Sequence, residues 1–152
     1  MRKIIAVEFI TLDGVMQAPG GSKEDTSEGF QYCGWMAPYF EGEVGGKEME
    51  KQMKATAALL LGRKTYDIWI GYWPDNPESW PQVNDIHKYV VSTTLKNPTW
   101  QNSEVLTDIE AVKVLKNSDG PNLQLYGSSK LLQSLMQNDL VDEFWLKIFP
   151  IT

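Results

Sequence analysis

What most constrains this chain is a repeated order: a short apolar run, then turn chemistry, then a helical pattern. Residues 4–10 read Ile-Ile-Ala-Val-Glu-Phe-Ile, almost continuously apolar, with only Glu8 interrupting. Residues 57–61 read Ala-Ala-Leu-Leu-Leu, a second such run, and residues 123–126, Leu-Gln-Leu-Tyr, are expected to form another strand. Runs of this length without strict alternation suit strands covered on both faces. Further strands are expected over 89–92, 104–106 and 144–151. Helices are expected over 43–56, 65–70, 109–116 and from 127 to about 138. Asp108 is placed to cap the third of these, with Ile109, Val112 and Leu115 on one face. Leu131, Leu132, Leu135 and Met136 form the apolar face of the last. Strand, crossover helix and strand in succession give an α/β fold with a mostly parallel central sheet and helices on both faces.

The chain has 152 residues, the size of one domain spanning 1–152. With 42% hydrophobic and 22% charged residues it needs no metal or disulfide staple. One cysteine, Cys33, and one histidine, His87, exclude an intrachain disulfide and a structural zinc site. A reducing cytoplasm is the natural expectation. The net charge of −6 disfavours nonspecific binding to nucleic acid or to an anionic membrane surface. No apolar run approaches the roughly 20 residues needed to cross a bilayer, and the start at Met1 lacks the long apolar region of a signal peptide. A small anionic ligand held by a local basic group remains compatible with the charge.

In parallel sheets ligands bind beyond the carboxyl ends of strands. Three such ends carry anion-compatible chemistry. Gly62-Arg63-Lys64-Thr65 offers a helix start, two cations and a hydroxyl. It is not a Walker A loop, because the glycine five positions upstream is missing. Ser92-Thr93-Thr94 and Tyr126-Gly127-Ser128-Ser129 supply further hydroxyls at a loop and at a second helix start. No G-x-G-x-x-G occurs, so the Rossmann fingerprint is absent. Each of the three alone is compatible with an ordinary turn. The polar loop from Val15 to about Gly34 is long enough to serve as a lid or binding loop. Trp35, Tyr39, Phe40, Trp69 and Trp73 are mostly packing residues that could also flank a planar ring. Glu41, Glu43, Glu48 and Glu50 read as a solvated helix face from which one carboxylate could serve a ligand.

Taken in order, these motifs resemble a known family. Leu59-Leu60-Leu61-Gly62-Arg63-Lys64-Thr65-Tyr66 and Val90-Val91-Ser92-Thr93-Thr94 are similar to the nucleotide-binding segments of dihydrofolate reductases. Thr11-Leu12-Asp13-Gly14-Val15 and Leu140-Val141-Asp142-Glu143 are closer to the C-terminal reductase domain of bacterial riboflavin biosynthesis (RibD C-terminal type). Including Gln17-Ala18-Pro19-Gly20-Gly21, the whole chain most resembles the stand-alone dihydrofolate-reductase-like proteins grouped with that domain. The resemblance implies the three-layer dihydrofolate-reductase-like fold and an NADPH-dependent oxidoreductase. Its substrate would be a small planar heterocycle, pterin-, pyrimidine- or riboflavin-precursor-like, such as 5-amino-6-(5-phosphoribosylamino)uracil.

By position, Gly62, Arg63, Lys64 and Thr65 would hold cofactor phosphates, with Arg63 or Lys64 near the 2′-phosphate. Ser92 and Thr93 would flank the adenosine. Gly127, Ser128 and Ser129 would hold the pyrophosphate, and Tyr126 would lie toward the nicotinamide. Asp13, Gly14, Val15 and Trp35 would border the substrate, with Asp13 and Glu48 as candidate proton helpers. A homodimer is expected by the same analogy. Two departures stand out. The pterin-binding carboxylate of dihydrofolate reductases would fall near Gly46, which argues against folate reduction. The family's closing hairpin has no counterpart before Thr152. The alternative is a nucleotide-binding or sensing protein that keeps the fold without catalysis.

Overall fold

The computed structural model describes residues 1–40 and 43–152. Glu41 lies outside the described residues, as do the side chains of Phe40 and Glu43. The strands are β1 (Ile4–Thr11), β2 (Ala58–Gly62), β3 (His87–Val91), β4 (Ser103–Leu106), β5 (Leu123–Tyr126) and β6 (Glu143–Phe149). The helices are α1 (Ala37–Phe40), α2 (Glu43–Ala55), α3 (Arg63–Ile70), α4 (Ile109–Asn117) and α5 (Ser129–Gln137). One six-stranded sheet runs β4-β3-β2-β5-β1-β6. The pairings β1·β5, β2·β5, β2·β3 and β3·β4 are all parallel. At β6, Asp142 N–H bonds to Ile4 O and Leu12 N–H to Ile151 O, so β6 advances in the same direction as β1. The sheet is therefore parallel throughout, as the strand–helix alternation predicts.

The chain forms two compact units: Met1–Val7 with Thr56–Trp145, and Glu8–Ala55 with Leu146–Thr152. The first unit is built on β2 and β5, whose Leu59, Leu60, Leu61, Leu123 and Leu125 are fully buried. Helix α3 packs on β2 and β3, α5 on β2, and α4 on β4. Asp108 caps α4 as expected, accepting from Ala111 N–H at 2.9 Å. The face expected for α5 is correct for Leu131, Leu132 and Leu135, but Met136 is 51% exposed. At 100° per residue Met136 falls about 90° from the centre of the leucine stripe, so it sits at the edge of the face.

Asp142 ties α4, β1 and β6 together within this unit. Its carboxylate pairs with Lys116 Nζ and accepts Ile4 N–H at 2.8 Å. Burial acts to raise the Asp142 pKa, but the Lys116 hydrogen bond, the Ile4 N–H and the charges of Lys116 and Lys3 outweigh it and hold it below the ordinary value. A carboxylate depressed by folding stabilises at neutral pH, and the contribution is lost as pH falls through the depressed value. Asp142→Asn is therefore expected to cost about 1 kcal/mol at pH 7, allowing for partial exposure. Urea melts should show that gap closing as the pH falls below the ordinary aspartate range; a gap of constant size would contradict the assignment.

The second unit is aromatic at its centre. The Phe149 ring lies 6.1 Å from Phe9, 5.3 Å from Trp35 and 5.9 Å from Tyr39, centroid to centroid. Tilted and edge-on pairs of this kind add roughly 1 kcal/mol each beyond burial. Along β6, Trp145, Lys147 and Phe149 form the more covered row, whereas Phe144, Leu146 and Ile148 are exposed.

Candidate functional site

The strand order creates a switch point. After β2 the chain moves through α3 to β3 on one side, and after β5 it moves through α5 to β6 beyond β1 on the other. Helices α3 and α5 therefore start side by side at the carboxyl ends of neighbouring strands, where parallel sheets bind ligands. Neither start has a side-chain cap. Helix α3, expected from Thr65, begins at Arg63, so Arg63, Lys64 and Thr65 make up the first helical turn itself. Gly62 is extended enough to finish β2 and serve as the cap residue, which moves the boundary forward.

A hydroxyl clamp joins the two starts. Ser128 Oγ accepts Gly62 N–H at 2.9 Å and stands 3.0 Å from Thr65 Oγ1. Ser128 N–H donates to Thr65 Oγ1 at 3.1 Å. Ser128 reaches this position from a left-handed backbone, φ 56°, directly after Gly127 at φ 55°. A Cβ on residue 62 would stand 3.3 Å from Ser128 Cβ, so glycine permits the close approach. Thr65 and Ser128 thus spend their hydroxyls on each other. These contacts hold two positive helix ends together, and the first-turn backbone N–H groups there have the chemistry to meet an anion.

Arg63 extends this basic region toward β3. Its Nε lies 2.8 Å from both carboxylate oxygens of Asp67, and Nη1 donates to Thr94 Oγ1 at 3.3 Å. Ser92 Oγ accepts Thr94 N–H at 3.2 Å and Leu95 N–H at 3.0 Å, which folds the loop after β3 into a tight hydroxyl turn. Because Gly62 pairs with Val91, this turn begins one residue beyond the strand position level with the α3 cap. Lys64 and Thr93 are exposed.

Tyr126 is a core residue, 4% exposed. Its hydroxyl donates to Gln124 Oε1 at 3.0 Å, which Thr56 Oγ1 also contacts at 2.6 Å. Burial pushes the Tyr126 phenol up to about 12, opposed by the Thr56 hydrogen bond. Its ring packs at 5.7 Å from both Trp69 and Trp80. Trp73 completes this group at 5.8 Å from Trp69 and 5.4 Å from Trp80. Trp69 and Trp73 thus belong to an aromatic cluster behind the helix starts.

The remaining candidates fall in the second unit. Asp13 lies in a tight turn, its Oδ1 accepting from Thr11 Oγ1 at 2.5 Å while Val15 N–H donates to Thr11 Oγ1 at 2.8 Å. Gly14 supplies the positive φ of that turn, 91°. Trp35 is 8% exposed and donates Nε1–H to Gln17 O at 2.8 Å, pinning the long polar loop. Glu48 is exposed on α2, accepts Gln52 Nε2–H at 3.2 Å and pairs with Lys51 at 3.8 Å. One residue here escaped the sequence reading. Lys147 lies in the covered row of β6, hydrogen-bonded to Gln52 Oε1, with its ammonium 5.0 Å from the Phe9 ring centroid. The signal available was a lysine two positions before Phe149, on the same side of a strand.

Among the described residues no group of three or more His, Cys, Asp or Glu could hold a metal ion. No helix among them is long and apolar enough to cross a membrane. The model of the RibD C-terminal domain family matches residues 2–152. The chain belongs to that family. The RibD C-terminal family is the reductase-type domain of riboflavin biosynthesis, which agrees with the expectation drawn from the ordered motifs. The chain is 30% identical to YyaP of Bacillus subtilis (strain 168), named as an uncharacterized protein, over 99% of this chain and 76% of the relative. It is also similar in fold to the crystal structure of a "Putative riboflavin biosynthesis protein" from Shewanella sp. PV-4. That likeness has a TM-score of 0.65 at 20% identity, over 99% of this chain and 78% of the other.

Proposed function

We propose that this RibD C-terminal domain protein is an NADPH-dependent reductase of a small planar heterocycle of the pyrimidine or pterin type. The observation that carries the reading is the pair of uncapped helix starts clamped together by Thr65 and Ser128. Two adjacent positive helix ends suit a pyrophosphate, one phosphate to each. Arg63, with Thr94 and Ser92 beside it, suits the 2′-phosphate that separates NADPH from NADH. The donor set therefore fits the cofactor. When bound, the reduced nicotinamide supplies the hydride, and the protein supplies binding and alignment. Gly127 and Ser129 lie at the mouth of the α5 start, and Tyr126 anchors that mouth to the core through Gln124 and Thr56. Gly14 and Val15 shape the turn that carries Asp13. The Thr11 hydroxyl holds the Asp13 carboxylate and fixes its direction.

The test is a fluorescence titration with NADPH and NADH. Arg63→Ala is expected to weaken NADPH about tenfold or more, the value of a charge-assisted hydrogen bond, and to leave NADH within about twofold. Equal losses for both cofactors would move Arg63 away from the 2′-phosphate. No binding of either would sink the reductase reading. A second reading, cofactor binding without turnover, is favoured by one observation: Asp13 is already engaged within its own turn. Tight NADPH binding without nicotinamide oxidation across a panel of heterocycles would select it.

A further inference from the structure

Lys147 is the group in the second unit with the least ordinary surroundings. It comes from β6, in the row shared with the ring of Phe149, and its ammonium lies over the face of Phe9 from β1. Among the described residues it makes one hydrogen bond, to the neutral amide of Gln52 on α2. An ammonium carries three N–H donors, so this environment leaves donor capacity for another acceptor. Burial pushes Lys147 down to about 8, opposed by the charges of Glu48 and Glu8. Glu8 is only 2% exposed. The contacts continue outward: Lys147 donates to Gln52 Oε1, and Gln52 Nε2 donates to exposed Glu48. A cationic donor, an amide and a carboxylate acceptor thus stand in sequence, beside the aromatic group of Phe9, Phe149, Trp35 and Tyr39.

We propose that Lys147 is the ligand-recognition residue of this unit, donating to the carbonyl oxygen of a lactam edge on a planar heterocycle while Glu48 accepts from the adjacent ring N–H. A lactam presents an acceptor and a donor side by side, the same pair that the Gln52 carboxamide presents to Lys147 and Glu48 and that a ligand would take over from it. Rings flank a flat guest at little conformational cost. The inference rests on the reductase reading and deepens it, since it names the group that would choose the substrate.

The probe is lumazine, a fluorescent pteridine-2,4-dione, titrated into the full chain, with NADPH titrated separately. Lys147→Met is expected to weaken lumazine at least tenfold, with NADPH affinity within about twofold of wild type. Lys147→Arg keeps the charge and is expected to recover most of the loss. Reductive methylation of the wild-type protein gives a readout that needs no variant: lumazine should protect Lys147 and leave Lys130 labelled. Unchanged lumazine affinity in Lys147→Met, equal labelling with and without lumazine, or no lumazine binding to wild type at millimolar concentration would each overturn the proposal. Failure of NADPH to bind would count against the reductase reading separately, because the lumazine experiments contain no cofactor.

Discussion

Lys88→Met is expected to lower stability by about 3 kcal/mol, one of the largest single effects in the molecule. Lys88 is fully buried, yet its ammonium donates to three main-chain carbonyls: Asn84 O at 3.0 Å, Ile86 O at 2.7 Å and Gln101 O at 3.2 Å. The Trp100 ring covers it at 4.5 Å. Methionine keeps the volume and removes the donors. Asn84 O would retain the side-chain amides of Gln101 and Asn102. Ile86 O and Gln101 O would each lose a charged donor in a buried setting, at roughly 1–3 kcal/mol apiece. In a chain of this size the thermal midpoint should fall by about 6–12 °C.

The pH dependence of the same pair of proteins has a definite sign. Burial pushes the Lys88 ammonium down to about 8 from an ordinary 10.5, with Asp85 opposing. The unfolded chain thus holds this proton over a range in which the fold has released it, and stability rises with pH across that range. Urea melts at pH 7.5 and 9.5 should show wild type gaining on Lys88→Met at the higher value. A loss at the higher pH would mean that the three carbonyls hold the ammonium more strongly than burial disfavours it.

Gly62→Val should produce the second large effect, this time on ligand binding. A Cβ at residue 62 would meet Ser128 Cβ at 3.3 Å and Ser128 Oγ at 3.4 Å, and the γ-carbons of valine would crowd Ser128 further. The two helix starts must then separate, and the Gly62 N–H to Ser128 Oγ bond breaks. Overpacking of this kind costs about 1–3 kcal/mol of stability. If the paired helix ends hold a pyrophosphate, NADPH and NADH should both weaken about 100-fold, because that group is common to both. Arg63→Ala should separate the two cofactors, whereas Gly62→Val should not. Unaltered affinity in Gly62→Val would place the pyrophosphate elsewhere.

The parallel sheet was legible because its strands are short, apolar and separated by strong punctuation such as Asp13-Gly14 and Gly127-Ser128. The regions around α3 and α5 were legible for a different reason, since hydroxyls and cations collect there beyond strand ends. The role of those hydroxyls was not. Whether Ser128 faces a ligand or Thr65 depends on two segments 63 residues apart meeting across neighbouring strands, and no local pattern records that. The buried lysines were hidden by chemistry. Hydropathy assigns lysine to water, so the strand reading began at Tyr89 and left out His87 and Lys88. The acceptors that make Lys88 tolerable are backbone carbonyls of the 84–86 and 101 segments, which any residue type could supply. Strand β6 misleads in the same manner. Its more apolar row, Phe144, Leu146 and Ile148, is exposed, and its more covered row carries a lysine.

The indole cluster behind the helix starts also gives the molecule an optical signature. Of six tryptophans only Trp35 lies in the second unit. Trp69, Trp73 and Trp80 stand 5.4–6.0 Å apart with planes crossed at 65°, 74° and 84°. Transition dipoles this close and this strongly inclined couple into an exciton. The circular dichroism of the native protein therefore mixes an indole couplet with its helix bands, and helix content read from ellipticity alone will be in error. The same couplet reports on one unit only. Followed during unfolding beside a global probe, it would show whether the two units melt together or in turn.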